Sequence, residues 1–208
     1  MSIKAIVFDM DGVLIDARDW HYEALNDALS MFGIEIPYEE HLNKYDGLPT
    51  RSKLVMLTKE MGLPRVLYPL INSVKQERTH RIAAAKCFPQ AQHLIMLAHL
   101  KRNGFKLGLA TNSIRSTTLS MLKYAGIDNF FDVILTNEDV EEAKPNPGIY
   151  ELALSRLSVS GDETIVVEDN ENGVKAAVGA GCRVVCVANP DEVNIELLLP
   201  LIEEEDQR

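Results

Sequence analysis

The run Ile3-Lys4-Ala5-Ile6-Val7-Phe8 is almost continuously apolar, rich in β-branched residues, and stops abruptly at Asp9-Met10-Asp11-Gly12. A strand without polar alternation is one buried on both faces, which is the situation inside a parallel sheet. Phe105 to Ala110, Thr164 to Val167 and Arg183 to Val187 share that character, and Val133 to Leu135 is a shorter version of it. Helical patterns lie between them. Gln90 to Arg102 carries Leu94, Leu97, Ala98 and Leu100 ahead of Gly104, and Ser116 to Tyr124 carries Leu119 and Leu122 ahead of Gly126. Helix, glycine and strand in repetition predict a doubly wound, Rossmann-like parallel α/β sheet.

The stretch from about Ala17 to Ala85 breaks that rhythm. Ala24, Leu25, Ala28, Leu29 and Phe32, then Leu54, Leu57 and Met61, recur at helical spacing, and no buried strand stands out. Gly33, Pro37, Gly47, Pro49, Gly62 and Pro64 divide it into several helices. A crossover between parallel strands does not need some seventy residues of helix. The expectation is therefore a discontinuous α/β core, residues 1–16 and 84–208, with an all-helical cap inserted at 17–83. The acidic run Glu203 to Asp206 reads as a solvated end.

Charge limits the partners. The chain has 21 Lys and Arg against 31 Asp and Glu, a net −10, and such a field disfavours nucleic acid and anionic membrane surfaces. Cys87, Cys182 and Cys186 form no C-x-x-C pair and the five histidines no H-x-x-x-H pair, so a zinc site has no support. No apolar run has the length of a signal peptide's core or a membrane span. Free thiols and the absence of a targeting segment give the expectation of a cytoplasmic protein, taken as a monomer.

Polar residues gather where the strands end. Asp9 and Asp11 follow the first, Thr111-Asn112-Ser113 the second, and Glu168-Asp169-Asn170 the fourth; in open parallel sheets, ligands bind at such carboxyl ends. Lys144 joins from Glu141-Glu142-Ala143-Lys144-Pro145-Asn146-Pro147, where each proline is expected to keep the residue before it extended. Four carboxylates together repel unless a cation holds them, and Mg²⁺, which retains waters and accepts phosphate, suits the set. Asp9 then serves as a nucleophile toward phosphorus, giving an aspartyl-phosphate. Asp11, two residues on and on the same face of an extended segment, serves as general acid and later as general base. Acid–base work contributes roughly 10² to 10⁴, far short of what phosphomonoester cleavage requires. The remainder falls to positioning and charge around the phosphoryl group, for which Thr111, the Asn112 backbone and Lys144 are the candidates. A buried cation with Lys144 makes the field locally attractive despite the net charge, so a small phosphate ester is compatible with −10.

Phe8-Asp9-Met10-Asp11-Gly12-Val13 with Asp16, then Thr111-Asn112-Ser113, Lys144-Pro145-Asn146-Pro147 and Val167-Glu168-Asp169, together resemble the haloacid dehalogenase superfamily, in its phosphatase and β-phosphoglucomutase-like branch. The resemblance spans essentially the whole chain. It implies Asp9 as nucleophile, Asp11 as acid/base, and Thr111 and Lys144 as phosphate contacts. Asp9, Asp169 and the Asp11 carbonyl are implied as Mg²⁺ ligands, with Glu168 in or beside that shell. The sequence departs from the family pattern at Pro89-Gln90, where Pro-Gly is usual, and in the cap loop Asp46-Gly47-Leu48-Pro49-Thr50-Arg51. His21, Arg51 and Lys75 are the cap candidates for substrate recognition. The expected activity is Mg²⁺-dependent hydrolysis of a small phosphorylated metabolite, a sugar phosphate first. The alternatives are a phosphomutase sharing the first half-reaction and, remotely, a phospho-accepting signalling module, which needs neither a cap nor Asp11.

Overall fold

The computed structural model describes residues 2–206 and divides into two compact units. One is formed by the residues up to Asp16 together with those from Cys87 onward; the other is Ala17–Lys86. The division falls three residues beyond the boundary drawn from sequence. The reason is local: α4, Tyr68–Lys86, runs through Ala83-Ala84-Ala85 without a break, and alanine is the strongest helix former.

The first unit is a five-stranded parallel sheet in the order β3-β2-β1-β4-β5. Its strands are β1 (Ala5–Phe8), β2 (Lys106–Ala110), β3 (Val133–Leu135), β4 (Thr164–Glu168) and β5 (Arg183–Cys186). β1 is central: Ala5 pairs with Lys106 on one side and with Thr164 on the other. β1 and β4 are buried along their whole length, as continuous apolar runs require. β5 differs from expectation. It is an edge strand, with Arg183 and Cys186 exposed, because no strand among the described residues pairs beyond it. The sheet carries α5 (Ala91–Arg102), α6 (Arg115–Tyr124), α7 (Gly148–Leu157), α8 (Glu171–Gly179) and α9 (Ile195–Asp206). Ile149, Tyr150, Ala153, Leu154 and Leu157 of α7 pack with Ala176 and Ala177 of α8 on Val7, Ala110 and Val166. The side chains of the acidic run Glu203–Asp206 lie outside the described residues.

The second unit consists of α1 (Arg18–Ser30), the short α2 (Tyr38–Glu40) continuing into a wide π-type turn at His41–Tyr45, α3 (Thr50–Met61) and α4. α1 buries Ala24, Leu25, Ala28 and Leu29, and α4 packs along it. The buried stripe of α4 is Ile71, Lys75, Thr79 and Ala83, spaced by four as one helix face demands. Gly62, at φ +72, ends α3 in the left-handed conformation that favours glycine. No described helix is long and apolar enough to cross a membrane.

His41 is fully buried in this unit, and neither ring nitrogen has a hydrogen-bond partner. Asp46 Oδ1 is 3.8 Å from its Nε2, and the Tyr22 ring lies 5.0 Å away, centroid to centroid. Burial, reinforced by Lys53, His21 and Arg18 and opposed by Asp19, lowers its pKa from 6.5 to about 4. The imidazole is thus neutral when folded, while the unfolded chain takes up a proton below its higher pKa. Stability from this residue is present above pH 6.5 and is lost as pH falls from 6.5 toward 4, by about 2 kcal/mol at pH 5. Urea unfolding at pH 7.5 and pH 5 is expected to show a His41→Phe variant losing about that much less on acidification; an identical pH dependence in both proteins would exclude His41 as the cause.

Candidate active site

Because β1 and β4 are neighbours, the residues that end them emerge side by side. The Asp9 N–H donates to Val167 C=O at 3.0 Å, continuing the ladder by one residue. The chain then turns back: the N–H groups of Leu14 and Ile15 both donate to Met10 C=O, and the Gly12 N–H donates to Ile15 C=O. Gly12 takes φ +86, and a Cβ there would lie 2.0 Å from Asp169 Oδ2. Both facts demand glycine. Asp11 is therefore not on an extension of the strand, as the sequence reading had it. It sits in this turn, bridged to Ile15, and its Oδ2 accepts a hydrogen bond from Ser113 Oγ at 2.6 Å.

Lys144 is the hub. Its Nζ donates to Asp9 Oδ1 at 2.6 Å, to Glu168 Oε1 at 2.6 Å and to Ala110 C=O at 2.8 Å, which uses all three ammonium protons. The side chains of Lys144, Asp9 and Glu168 are 4%, 11% and 1% exposed, so this is a desolvated ion cluster in which hydrogen bonds are strong and loss of one partner is costly. The Lys144 N–H donates to Asn112 Oδ1 at 3.1 Å, tying its loop to the end of β2. The loop is not extended at Lys144: it forms a turn, with the Asn146 N–H donating to Ala143 C=O, and the Lys144–Pro145 peptide is cis.

Thr111 is buried, its N–H donating to Leu135 C=O and its Oγ1 accepting from the Ser113 N–H at 3.1 Å. Glu168 has both oxygens engaged. Oε1 also accepts from Tyr150 Oη at 2.5 Å, and Oε2 accepts from the Asp169 N–H at 3.2 Å. Gly173 of α8 stands against this carboxylate, where a Cβ would fall 1.8 Å from Oε1. Burial pushes the Asp9 carboxyl well above the usual carboxylate range; Lys144 opposes this, while Glu168, Asp169 and Asp11 add to it. The two carboxylates outweigh burial at Lys144 and hold its ammonium charged. Burial and Glu168 push the Tyr150 phenol up, so it is a donor.

One oxygen each from Asp9, Glu168 and Asp169 lies within 4.8 Å of the others. An all-oxygen, anionic donor set of this size fits a hard divalent cation. The Asp11 carboxylate is not in that group. Ser113 and Tyr150 were not singled out in the sequence. Ser113 carried a signal, as the third residue of Thr111-Asn112-Ser113, whereas Tyr150 carried none beyond its place six residues after Lys144.

The three recognition candidates all belong to the helical unit. His21 Nδ1 and Lys75 Nζ are 3.1 Å apart, and Lys75 is buried in α4. Arg51 is exposed in the first turn of α3. Two residues on, Lys53 is buried, a placement its sequence context did not announce.

A sequence profile of haloacid dehalogenase-like hydrolases matches residues 6–187, so the chain belongs to that family. Within it the chain is an enzyme of the phosphatase branch. It is 32% identical over 181 residues to a phosphorylated carbohydrates phosphatase of Thermotoga maritima, covering 86% of this chain and 82% of that protein. It is 32% identical over 189 residues to the pyrophosphatase PpaX of Anoxybacillus flavithermus, covering 90% and 85%. Among solved structures, CbbY from Rhodobacter sphaeroides in complex with phosphate superposes with a TM-score of 0.80 at 28% identity, covering 88% of this chain and 85% of that one.

Proposed function

We propose that the protein is a Mg²⁺-dependent phosphatase of small phosphorylated metabolites, with sugar phosphates as the leading substrate class. The observation that carries this reading is the buried Lys144 ammonium shared between Asp9 at the end of β1 and Glu168 at the end of β4. It is an arrangement that fixes one carboxylate oxygen and supplies positive charge beside it. Asp9 attacks phosphorus in line with the ester oxygen, the P–O bond to the leaving group breaks, and Asp11 donates its proton to the departing alkoxide. A water then attacks the aspartyl-phosphate, Asp11 takes the water's proton, and phosphate leaves with the Asp9 carboxylate restored. Ser113 orients Asp11 for both transfers. Thr111 and the Asn112 backbone hold the phosphoryl oxygens, and Lys144, whose protons go to Asp9, Glu168 and Ala110 C=O, supplies positive charge beside them. Asp9, Asp169 and the Asp11 carbonyl would hold Mg²⁺, which neutralises charge on the transferring group when bound. The helical unit acts as the cap, and His21, Arg51 and Lys75 select the substrate. The two relatives, named for phosphorylated carbohydrates and for pyrophosphate, support a small phosphorylated anion as the substrate class.

The test is phosphate release from a panel of sugar phosphates, other phosphomonoesters and pyrophosphate, each with Mg²⁺ and with excess chelator. Release from at least one sugar phosphate, abolished by chelator, is expected. Release only from pyrophosphate would replace the substrate class, chelator-resistant activity would remove the metal, and no release from any compound would sink the assignment. Conversion of a sugar 1-phosphate to its 6-phosphate would move the answer to the mutase.

A further inference from the structure

Tyr150 is fully buried on α7, and it touches two of the three members of the ion cluster at once. Its hydroxyl donates to Glu168 Oε1 at 2.5 Å, and its ring lies 4.8 Å from Lys144 Nζ, centroid to nitrogen. Oε1 thus receives two donors, the Lys144 ammonium and the Tyr150 hydroxyl, while Oε2 receives the Asp169 N–H. A carboxylate held at three points cannot rotate. Gly173 allows this close packing from the other side, since any larger residue there would collide with Oε1. The ring is fixed in turn by the apolar core it shares with Val7, Ala110 and Val166.

We propose that Tyr150 is a positioning residue whose hydroxyl locks Glu168 so that Lys144 is shared with Asp9. This rests on the reading of Asp9 as the nucleophile. Two carboxylates compete for Lys144. By donating to Glu168, the hydroxyl satisfies part of that carboxylate's demand and fixes where its Oε1 sits, and the lysine is left spanning to Asp9 Oδ1. Without the hydroxyl, Glu168 is free to turn. It then either draws Lys144 toward itself and away from Asp9 or turns away from the lysine and further into the cation-binding set it already shares with Asp9 and Asp169. Both movements disturb the reacting oxygen, and the second strengthens cation binding.

Tyr150→Phe separates these effects from packing, because it keeps the ring and its contact with Lys144 and deletes only the oxygen. The variant is compared with the wild type in three measurements: steady-state kinetics on a substrate the wild type hydrolyses, Mg²⁺ titration calorimetry on the substrate-free protein, and thermal unfolding. The expected result is a kcat about ten-fold lower, KM within about two-fold, and Mg²⁺ bound as tightly as in the wild type or more tightly. An unchanged kcat would overturn the proposal. So would a fall in kcat that merely tracks weakened Mg²⁺ binding or loss of folded protein, because a purely structural tyrosine predicts all three together. A Tyr150→Leu variant, which also removes the ring, is expected to be slower than Tyr150→Phe; equal rates would assign the effect to packing and overturn the role of the hydroxyl. An inactive wild type would count against the phosphatase reading itself, whereas an active wild type with an equally active Tyr150→Phe variant counts only against Tyr150.

Discussion

Asp9→Asn is expected to lower turnover by about 10⁴-fold or more while leaving the protein folded. The amide has the shape of the carboxylate but neither its charge nor a nucleophilic oxygen, so no covalent intermediate forms. Folding is expected to survive for an electrostatic reason. Asp9 is buried among Glu168, Asp169 and Asp11, and removing one charge from that group relieves repulsion, while Lys144 keeps Glu168 and Ala110 C=O as partners. Phosphate release and a thermal melt, run on the same preparation, check both halves. Near-normal activity in the variant would exclude Asp9 as the nucleophile; a large drop in melting temperature would show that it holds the fold as well.

Lys144→Met is expected to affect both rate and stability. Methionine keeps much of the length and the apolar stem, so the change deletes the ammonium and its three hydrogen bonds. Asp9 and Glu168 are then left buried without their common counter-charge, a situation that costs about 3–5 kcal/mol. For a chain of this size the melting temperature falls by roughly 10 °C. Loss of a positive group at the transferring phosphoryl lowers kcat by a further factor of about 10² to 10³. Lys144→Arg is expected to rescue neither, because a planar guanidinium does not fit a point between two carboxylates and a carbonyl. Melting curves in chelator isolate the protein's own share of the effect. Wild-type stability in Lys144→Met would mean that the cluster does not hold the ends of β1 and β4 together.

How far the sequence could be read depended on the range of each signal. β1 and β4 were legible because burial on both faces leaves unbroken apolar runs, and that is a local property. The polar residues at their ends were legible for the same reason, since a parallel sheet brings strand termini to one edge without further information. β5 had the same composition as a buried strand, yet its place at the edge depends on strand order. The turn at Asp11 is not legible in the sequence pattern because it is held by Met10 C=O and Gly12, contacts that apolar spacing does not encode. Tyr150 was illegible for a different reason. An aromatic on the inner face of α7 looks like packing, and only the proximity of α7 to β4 turns its hydroxyl toward Glu168.

The central place of β1 has a consequence for how the protein is made. Asp9 is synthesised well before its partners, and its strand finds its first neighbour only when Lys106 has emerged and its second only at Thr164. Chain growth from the N-terminus therefore delivers Asp9 early and its counter-charge and Glu168 late. A nascent chain long enough to fold the helical insertion still has no site. The ion cluster is complete only once β4 has emerged and Glu168 can close on the lysine.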